Sequence, residues 1–145
     1  MFMGEYNHSI DDKGRVILPA KFREGLGENF VITKGLDECL FVYPQEEWRK
    51  LEDKLTSLSI MRKDTRKLTR FFMASSATLE FDKQGRINIP QTLKTYAELK
   101  KDVVVIGVAN RVEIWDKTKW EISISEYENN MDEVAENLAD LDFSF

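Results

Sequence analysis

The chain has 145 residues, which is enough for one large domain or two small ones. With 42% hydrophobic and 32% charged residues, its composition is that of an ordinary globular protein, and no apolar run approaches the roughly 20 residues that a membrane-spanning helix needs. The first ten residues lack the pattern of a signal peptide, and a single cysteine excludes an internal disulfide and a four-thiolate metal site. We therefore expect a protein of a reducing cytosol, with no membrane partner.

The net charge of −5 conceals an uneven distribution along the chain. Residues 121–145 contain eight acids and no Lys or Arg, so residues 1–120 hold 21 basic and 18 acidic residues and carry a net charge of +3. A mildly basic body with an acidic C-terminal segment is a weak indication of a polyanionic partner such as a nucleic acid.

The first elements in chain order are two strands joined by a tight turn. Apolar residues alternate with polar ones in 6–10 and again in 16–18, which predicts two strands with one buried face each. The turn "DDKG" between them has Asp11 at its first position and Gly14 at its fourth, as in a type I turn followed by a glycine with positive φ. Pro19 ends the second strand and opens a short helix.

The rest of the first half reads as two strands and two helices. The strands are predicted at 30–34 and 39–43, and a helix follows whose buried stripe is Trp48, Leu51, Leu55 and Leu58. A second, basic helix is predicted within 61–76, because that stretch has no Gly or Pro. We expect Asp64 to cap it and its buried side to hold Leu68, Phe71 and Phe72.

The second half repeats the first. "IDDKGRVILP" at 10–19 returns as "FDKQGRINIP" at 81–90, 71 positions later, and Trp48 returns as Trp120 with an offset of 72. A hairpin, a proline, a strand pair and a tryptophan that recur in the same order indicate two copies of one structural unit. Strands are expected at 103–107 and 111–115, and the final stripe predicts one long helix packed on the body, with inward residues Trp120, Ile124, Tyr127, Met131, Val134, Leu138 and Leu141.

The fold class that follows is mixed α/β and β-rich, with two repeated units in one pseudo-two-fold body and helices after each unit. We place the first unit and its helix at 1–60, the basic connecting helix at 61–76, and the second unit with an acidic C-terminal helix at 77–145.

Each repeated turn carries an arginine whose role the spacing leaves open. Because side chains alternate along a strand, Arg15 and Asp11 share the outward face, as do Arg86 and Asp82, and each pair is close enough for an ion pair. One interpretation is a staple for the hairpin, worth about 0–1 kcal/mol. The other is that Asp holds the guanidinium ready for a phosphate or a guanine edge. The lysines of the turns, Lys13 and Lys83, and the turn glycines, Gly14 and Gly85, complete the candidate site.

The remaining candidates are weaker. The basic stretch of the connecting helix is a solvated face by default, and would contact DNA phosphates only if it lies beside the turns; its residues are Arg62, Lys63, Arg66, Lys67 and Arg70. His8 aligns with Leu79, which predicts a buried structural histidine. No phosphate-binding loop, dinucleotide loop or metal-ligand spacing occurs, so we expect no enzyme activity, no cofactor and no small-molecule substrate.

The two Asp-x-x-Gly-Arg loops, each in a unit with the same proline and tryptophan, resemble the MraZ family of bacterial transcriptional regulators. The resemblance runs from "MFMGEYNHSIDDKGRVILPAKFRE" to about residue 124. That family consists of two tandem SpoVT-AbrB-like units with swapped hairpins, and its paired Asp and Arg fall here on Asp11 with Arg15 and Asp82 with Arg86. Position 12 is Asp where the second loop has Lys83, so the two loops need not contribute equally.

What the resemblance implies is binding of double-stranded DNA by a cytoplasmic, nucleoid-associated regulator. The expected sites are short direct repeats in the promoter of its own division and cell-wall operon, with repression as the outcome and a ring-like homo-oligomer as the bound form. Arg15 and Arg86 would contact the DNA and Lys13 and Lys83 its phosphates. The alternative is a protein-interaction or scaffold module, in which the Asp–Arg loops mediate self-assembly.

Overall fold

The structure, a computed structural model of the chain, describes residues 1–142. Its strands are β1 (Phe2–Ser9), β2 (Arg15–Ile17), β3 (Phe30–Lys34), β4 (Leu40–Pro44), β5 (Ala77–Leu79), β6 (Arg86–Asn88), β7 (Asp102–Ala109) and β8 (Arg111–Asp116). Its helices are α1 (Ala20–Leu26), α2 (Gln45–Ser57), α3 (Lys63–Ser75), α4 (Gln91–Tyr96), α5 (Lys117–Tyr127) and α6 (Met131–Glu136), with short 3-10 turns at Leu36–Glu38, Glu128–Asn130 and Ala139–Leu141. The predicted mixed, β-rich class is confirmed.

The two halves of the chain are interlocked rather than adjacent. A six-stranded antiparallel sheet has the order β1-β7-β8-β4-β3-β5, and a separate two-stranded ribbon pairs β2 with β6. The first strand of each half therefore pairs with the long hairpin of the other half, β1 with β7 and β5 with β3. Neither half can bury its hairpin alone, so the swapped arrangement makes one body of the two repeats.

The strand register gives the body a pseudo-two-fold axis. In the ribbon, Val16 lies opposite Ile87, which is its own repeat partner. At the centre of the large sheet, Phe41 lies opposite Glu113, which is again its repeat partner at an offset of 72. Strands that pair symmetrically about equivalent residues are related by a two-fold rotation, and the axis passes through both points.

The large sheet separates two apolar cores, because its side chains alternate between two faces. One face is covered by the ribbon with α1 and α4, and it buries Val16, Leu18, Ile87 and Ile89. The opposite face is covered by α2, α3 and α5, and it packs Trp48, Leu55, Phe72 and Trp120 against the sheet. The ribbon and the long helices are thus on opposite sides of the molecule. None of the helices within residues 1–142 is both long and apolar enough to cross a membrane.

Three local predictions need correction. Arg62 precedes α3, and no side chain caps that helix. Asp64 lies in the first turn instead, where the positive end of the helix dipole stabilises its negative charge. His8 is half-buried rather than buried, because β1 lies at the edge of the sheet. Leu58 follows the end of α2 and is exposed, as is Leu68 on α3.

The prediction of one long C-terminal helix is also wrong. The chain forms α5, a 3-10 turn at Glu128–Asn130, then α6 and a last turn at Ala139–Leu141. Asn129 and Asn130 lie at the break, in keeping with the low preference of asparagine for helix interiors. The stripe beyond the break is not packed on the body, since Met131, Leu138 and Leu141 are exposed. The unit boundaries stay a prediction, and residues 143–145 of the last unit lie outside the described residues.

Candidate nucleic-acid interface

The two turns at the ends of the ribbon, which we call the tips (residues 11–15 and 82–86), have the same hydrogen bonds. In the first tip, Asp11 Oδ1 accepts from the backbone N–H groups of Lys13 and Arg15 at 2.9 Å each, and Asp11 Oδ2 accepts from Arg15 Nε at 2.7 Å. In the second tip, the carboxylate of Asp82 accepts from the N–H groups of Gln84 and Arg86 at 2.9 Å and from Arg86 Nε at 2.7 Å. The predicted Asp–Arg pairing is confirmed in both copies.

This geometry leaves part of each guanidinium free for a ligand. Within residues 1–142, the ion pair of each tip uses Nε, and the terminal nitrogens of Arg15 and Arg86 have no hydrogen-bond partner. The arginine side chains keep 29% and 24% of their surface exposed. A guanidinium held at one edge presents its other nitrogens in a fixed plane, which suits two-point bonding to a phosphate or to guanine O6 and N7.

The hydrogen bonds of each tip favour the ionised form of its aspartate. The backbone N–H of Arg15 is the largest cause that lowers the pKa of Asp11, and its side chain and the N–H of Lys13 add to the effect. The backbone N–H of Arg86 does the same for the pKa of Asp82. Both carboxylates are therefore ionised at neutral pH and available to hold their arginines.

The turn glycines have the predicted backbone conformation. Gly14 has φ 81° and Gly85 has φ 75°, in the left-handed region of backbone conformation that residues with a Cβ rarely adopt. Each turn closes with a backbone bond of 3.0 Å to the carbonyl of its aspartate, Gly14 to Asp11 and Gly85 to Asp82. This closure directs the residue after the glycine into the ribbon and fixes where Arg15 and Arg86 leave the turn.

Each tip also holds a cation from the other repeat, which the sequence reasoning missed. A Cβ placed on Gly85 would lie 3.0 Å from the guanidinium of Arg23, and one placed on Gly14 would lie 2.8 Å from Nζ of Lys94. Arg23 is further held by a bond of 2.5 Å to the carbonyl of Leu18. Arg23 and Lys94 are 71 positions apart and so are repeat partners, on α1 and α4. Basic residues at matching places in both repeats were the available signal, but only the swapped fold shows which tip each one joins.

The structure does not bring all predicted residues together. Lys13 and Lys83 are exposed on the tips beside the arginines. The basic residues at the start of α3 and just before it lie across the sheet from the ribbon. They are not beside the tips, so the condition stated for phosphate contact is not met; these residues are Arg62, Lys63, Arg66 and Lys67. Their predicted phosphate contacts stay a prediction without geometric support. Among residues 1–142, no three His, Cys, Asp or Glu side chains converge as a metal site would require.

Comparison with known proteins agrees with the internal repeat. The family described as "MraZ protein, putative antitoxin-like" matches twice, at residues 1–71 and 72–142. A protein of Natranaerobius thermophilus named "Transcriptional regulator MraZ" is 54% identical over 142 residues, which is 98% of this chain and 99% of that protein. A protein of the same name from Ligilactobacillus salivarius is 56% identical over 142 residues, with the same coverage. This chain belongs to the MraZ family.

Proposed function

We propose that the protein is a sequence-specific DNA-binding transcriptional regulator that contacts DNA with its two tips. The observation that carries the proposal is the pair of tips with the same Asp–Arg geometry and free guanidinium nitrogens, presented on one side of a rigid body. Two relatives at 54% and 56% identity are named as transcriptional regulators, which supports the same role here. A hairpin tip is narrow enough to enter a groove of duplex DNA.

The tip residues divide the work by their chemistry. Arg15 and Arg86 contact base edges or clamp phosphate, and Asp11 and Asp82 position them. Lys13 and Lys83 neutralise phosphates, since an exposed ammonium binds as a point charge. Arg23 and Lys94 add one further cation at the base of each tip, at the second and the first tip respectively.

The oligomeric form follows from the avidity that the tips need, and the regulated site is the one that the family resemblance implies. One body offers few contacts, so tight binding requires several bodies on several sites, joined in one assembly that raises the effective concentration. We propose a ring-like homo-oligomer of this chain on short direct repeats in the promoter of its own division and cell-wall operon, which it represses. Such a regulator would act in the cytoplasm, at the nucleoid.

The test is fluorescence anisotropy of a labelled fragment of that promoter, titrated with protein at several salt concentrations beside a scrambled fragment. We expect tight binding to the promoter alone, with log K falling against log salt at about −0.9 per phosphate contact. Arg15→Glu with Arg86→Glu should abolish this binding while the assembly keeps its mass. The matched control is Lys50→Glu with Lys54→Glu, which makes the same charge change on exposed positions of α2 across the sheet.

Two results would decide against the proposal. Equal, weak binding of both fragments would mean that the tips do not read DNA. Disassembly of the Arg15→Glu, Arg86→Glu variant would favour the alternative, a scaffold whose Asp–Arg loops join subunits. Light scattering on the same samples separates these two results, because it reports mass without DNA.

A further inference from the structure

The two halves of the molecule end in helical segments of opposite charge. The basic helix, α3 with the preceding Arg62, has five basic residues and one acid between positions 62 and 70. The acidic segment, residues 121–142, has eight acids and no base. At the offset of 72 that relates Trp48 to Trp120, positions 62–70 correspond to 134–142. The repeat therefore carries opposite charges at equivalent places.

The pseudo-two-fold axis places these segments over opposite halves of one sheet face. The basic helix packs on β3, and α2 packs on β3 and β4. On the other side of the axis, α5 packs on β7 and β8 and leads into α6. Within residues 1–142, no ion pair joins the basic helix to the acidic segment. Each segment thus offers its charge to the outside of the molecule.

An apolar groove runs between α2 and the basic helix. Its volume is ≈ 360 Å³, and its lining includes Leu55, Leu58 and Ile60 with Arg66 and Arg70 at the rim. Ile60 is 73% exposed and the next residue, Met61, is 84% exposed. Large apolar side chains that stay this open next to a groove mark a surface that a partner covers. The two arginines favour a partner that carries carboxylates.

The acidic segment has the complementary composition. Met131, Leu138 and Leu141 are 43%, 41% and 70% exposed, and acids surround them in sequence. The main contacts of α6 are with the turn before it and not with the sheet. The part of the acidic segment at 131–142, with apolar residues and carboxylates but no Lys or Arg, fits an apolar groove lined by two arginines.

We propose that the groove between α2 and the basic helix of one copy binds the acidic segment of the next copy. Groove and segment are different surfaces of the same chain, so the contact is head-to-tail, and repetition of such a contact gives closed rings or open filaments. The inference rests on the self-assembly proposed above but not on DNA binding. It also gives the basic helix a partner on its own side of the sheet, away from the tips.

The test uses two charge-reversed variants of the full chain and measures mass by light scattering without DNA. The groove variant is Lys67→Glu with Arg70→Glu, and the segment variant is Glu133→Lys with Glu136→Lys; all four positions are exposed. Each variant alone has like charges on both surfaces, so we expect its mass to fall to the 16.9 kDa of one chain. In an equimolar mixture every contact between unlike variants is again complementary, and assemblies should reform. Circular dichroism checks that both variants are folded.

Matched controls make the same charge changes elsewhere. Lys100→Glu with Lys101→Glu and Glu24→Lys with Glu28→Lys alter exposed positions outside both surfaces and should keep the wild-type mass. Wild-type mass for either folded variant, or a mixture that stays at 16.9 kDa, would overturn the inference. Loss of DNA affinity at unchanged mass in the groove variant would show that the basic helix binds phosphate instead. A monomeric wild type would overturn self-assembly, whereas the anisotropy comparison of promoter and scrambled fragments would still show whether the tips discriminate between DNA sequences.

Discussion

The two repeats agree at their tips and differ at their helical ends. Both tips hold the Asp–Arg pair at 2.7 Å and close their turn at 3.0 Å. At the other side of the sheet, the first repeat is followed by a basic helix that buries Phe72 at the junction of the repeats, whereas the second ends in an acidic segment with exposed Met131, Leu138 and Leu141. The tip geometry, which depends on neighbours in sequence, is the same in both copies, while the packing of the helical ends differs.

The difference begins in the first five residues of each repeat. At the offset of 71, positions 1–5 correspond to 72–76. In the first repeat these residues extend β1, which pairs with β7 from Phe2 to Ser9. In the second repeat they finish α3, and β5 pairs with β3 at three positions only. One repeat therefore uses this stretch to extend the sheet, and the other uses it to anchor a helix over the sheet.

The largest expected loss of stability comes from truncating the buried side chain that anchors α3 to the sheet. Phe72 is buried and stacks against Phe41 with ring centroids 6.5 Å apart, so Phe72→Ala should lower the free energy of unfolding by about 3–5 kcal/mol. Leu138→Ala, in the exposed acidic segment, should change it by about 0.5 kcal/mol or less. Urea unfolding followed by circular dichroism, at a concentration where both variants are monomeric, measures both values. Equal losses would mean that the acidic segment also packs on its own body.

The tips were predictable from sequence because their causes are local. Asp at the first turn position, Gly at the fourth and alternation in the next strand specify the turn, the outward face and the Asp–Arg pair. The prolines likewise stand at the starts of α1 and α4, as predicted from the fixed φ of proline.

Features that join distant parts of the chain were not predictable in this way. The pairing of β1 with β7 brings together residues about a hundred positions apart, and no local pattern specifies it. The same swap places Arg23 and Lys94 at the opposite tips. The C-terminal stripe had a helical period, but a period does not show whether any apolar surface remains for the helix to cover.

The extended first strand gives the second prediction. Gly107 pairs with Gly4, and a Cβ at Gly107 would overlap the backbone of Phe2 and Met3. Gly107→Ala should therefore lower the free energy of unfolding by about 1–3 kcal/mol, the usual range for overpacking. The matched control is Lys34→Ala, at the equivalent register position of β3, where β5 does not reach. Thermal unfolding should show a loss of at most about 1 kcal/mol there; an equal loss at both sites would contradict the asymmetry.

The swapped cations test whether the two tips act alike. Arg23→Gln and Lys94→Gln should each remove one phosphate contact, so the slope of log K against log salt should become less negative by about 0.9 in either variant. The double variant should show the sum, because the two cations serve separate tips. Lys50→Gln, exposed on α2 across the sheet, is the control. A slope equal to the wild-type slope in both single variants would exclude these residues from the DNA contact.

The smallest expected effect concerns the tip aspartates, which accept backbone N–H groups of the turn and also hold the arginine side chains. The backbone N–H of residue 15 contributes most to the lowered pKa of Asp11, and this donor remains in Arg15→Ala. Carbon-13 NMR titration should therefore find that the pKa of Asp11 rises in this variant but stays below its ordinary value, while Asp82 in the same molecule is unchanged.

Because the pKa of Asp11 is lower in the folded than in the unfolded state, ionised Asp11 stabilises the fold. This contribution is fully present above the unfolded-state pKa of about 3.9 and is lost as pH falls through the folded-state pKa. Arg15→Ala should narrow that pH window at its acid end without abolishing it. An ordinary pKa for Asp11 in the variant would mean that the arginine organises the turn. A lowered pKa would mean that the aspartate and the backbone hold the turn without the arginine, which is then positioned by the turn and available to bind.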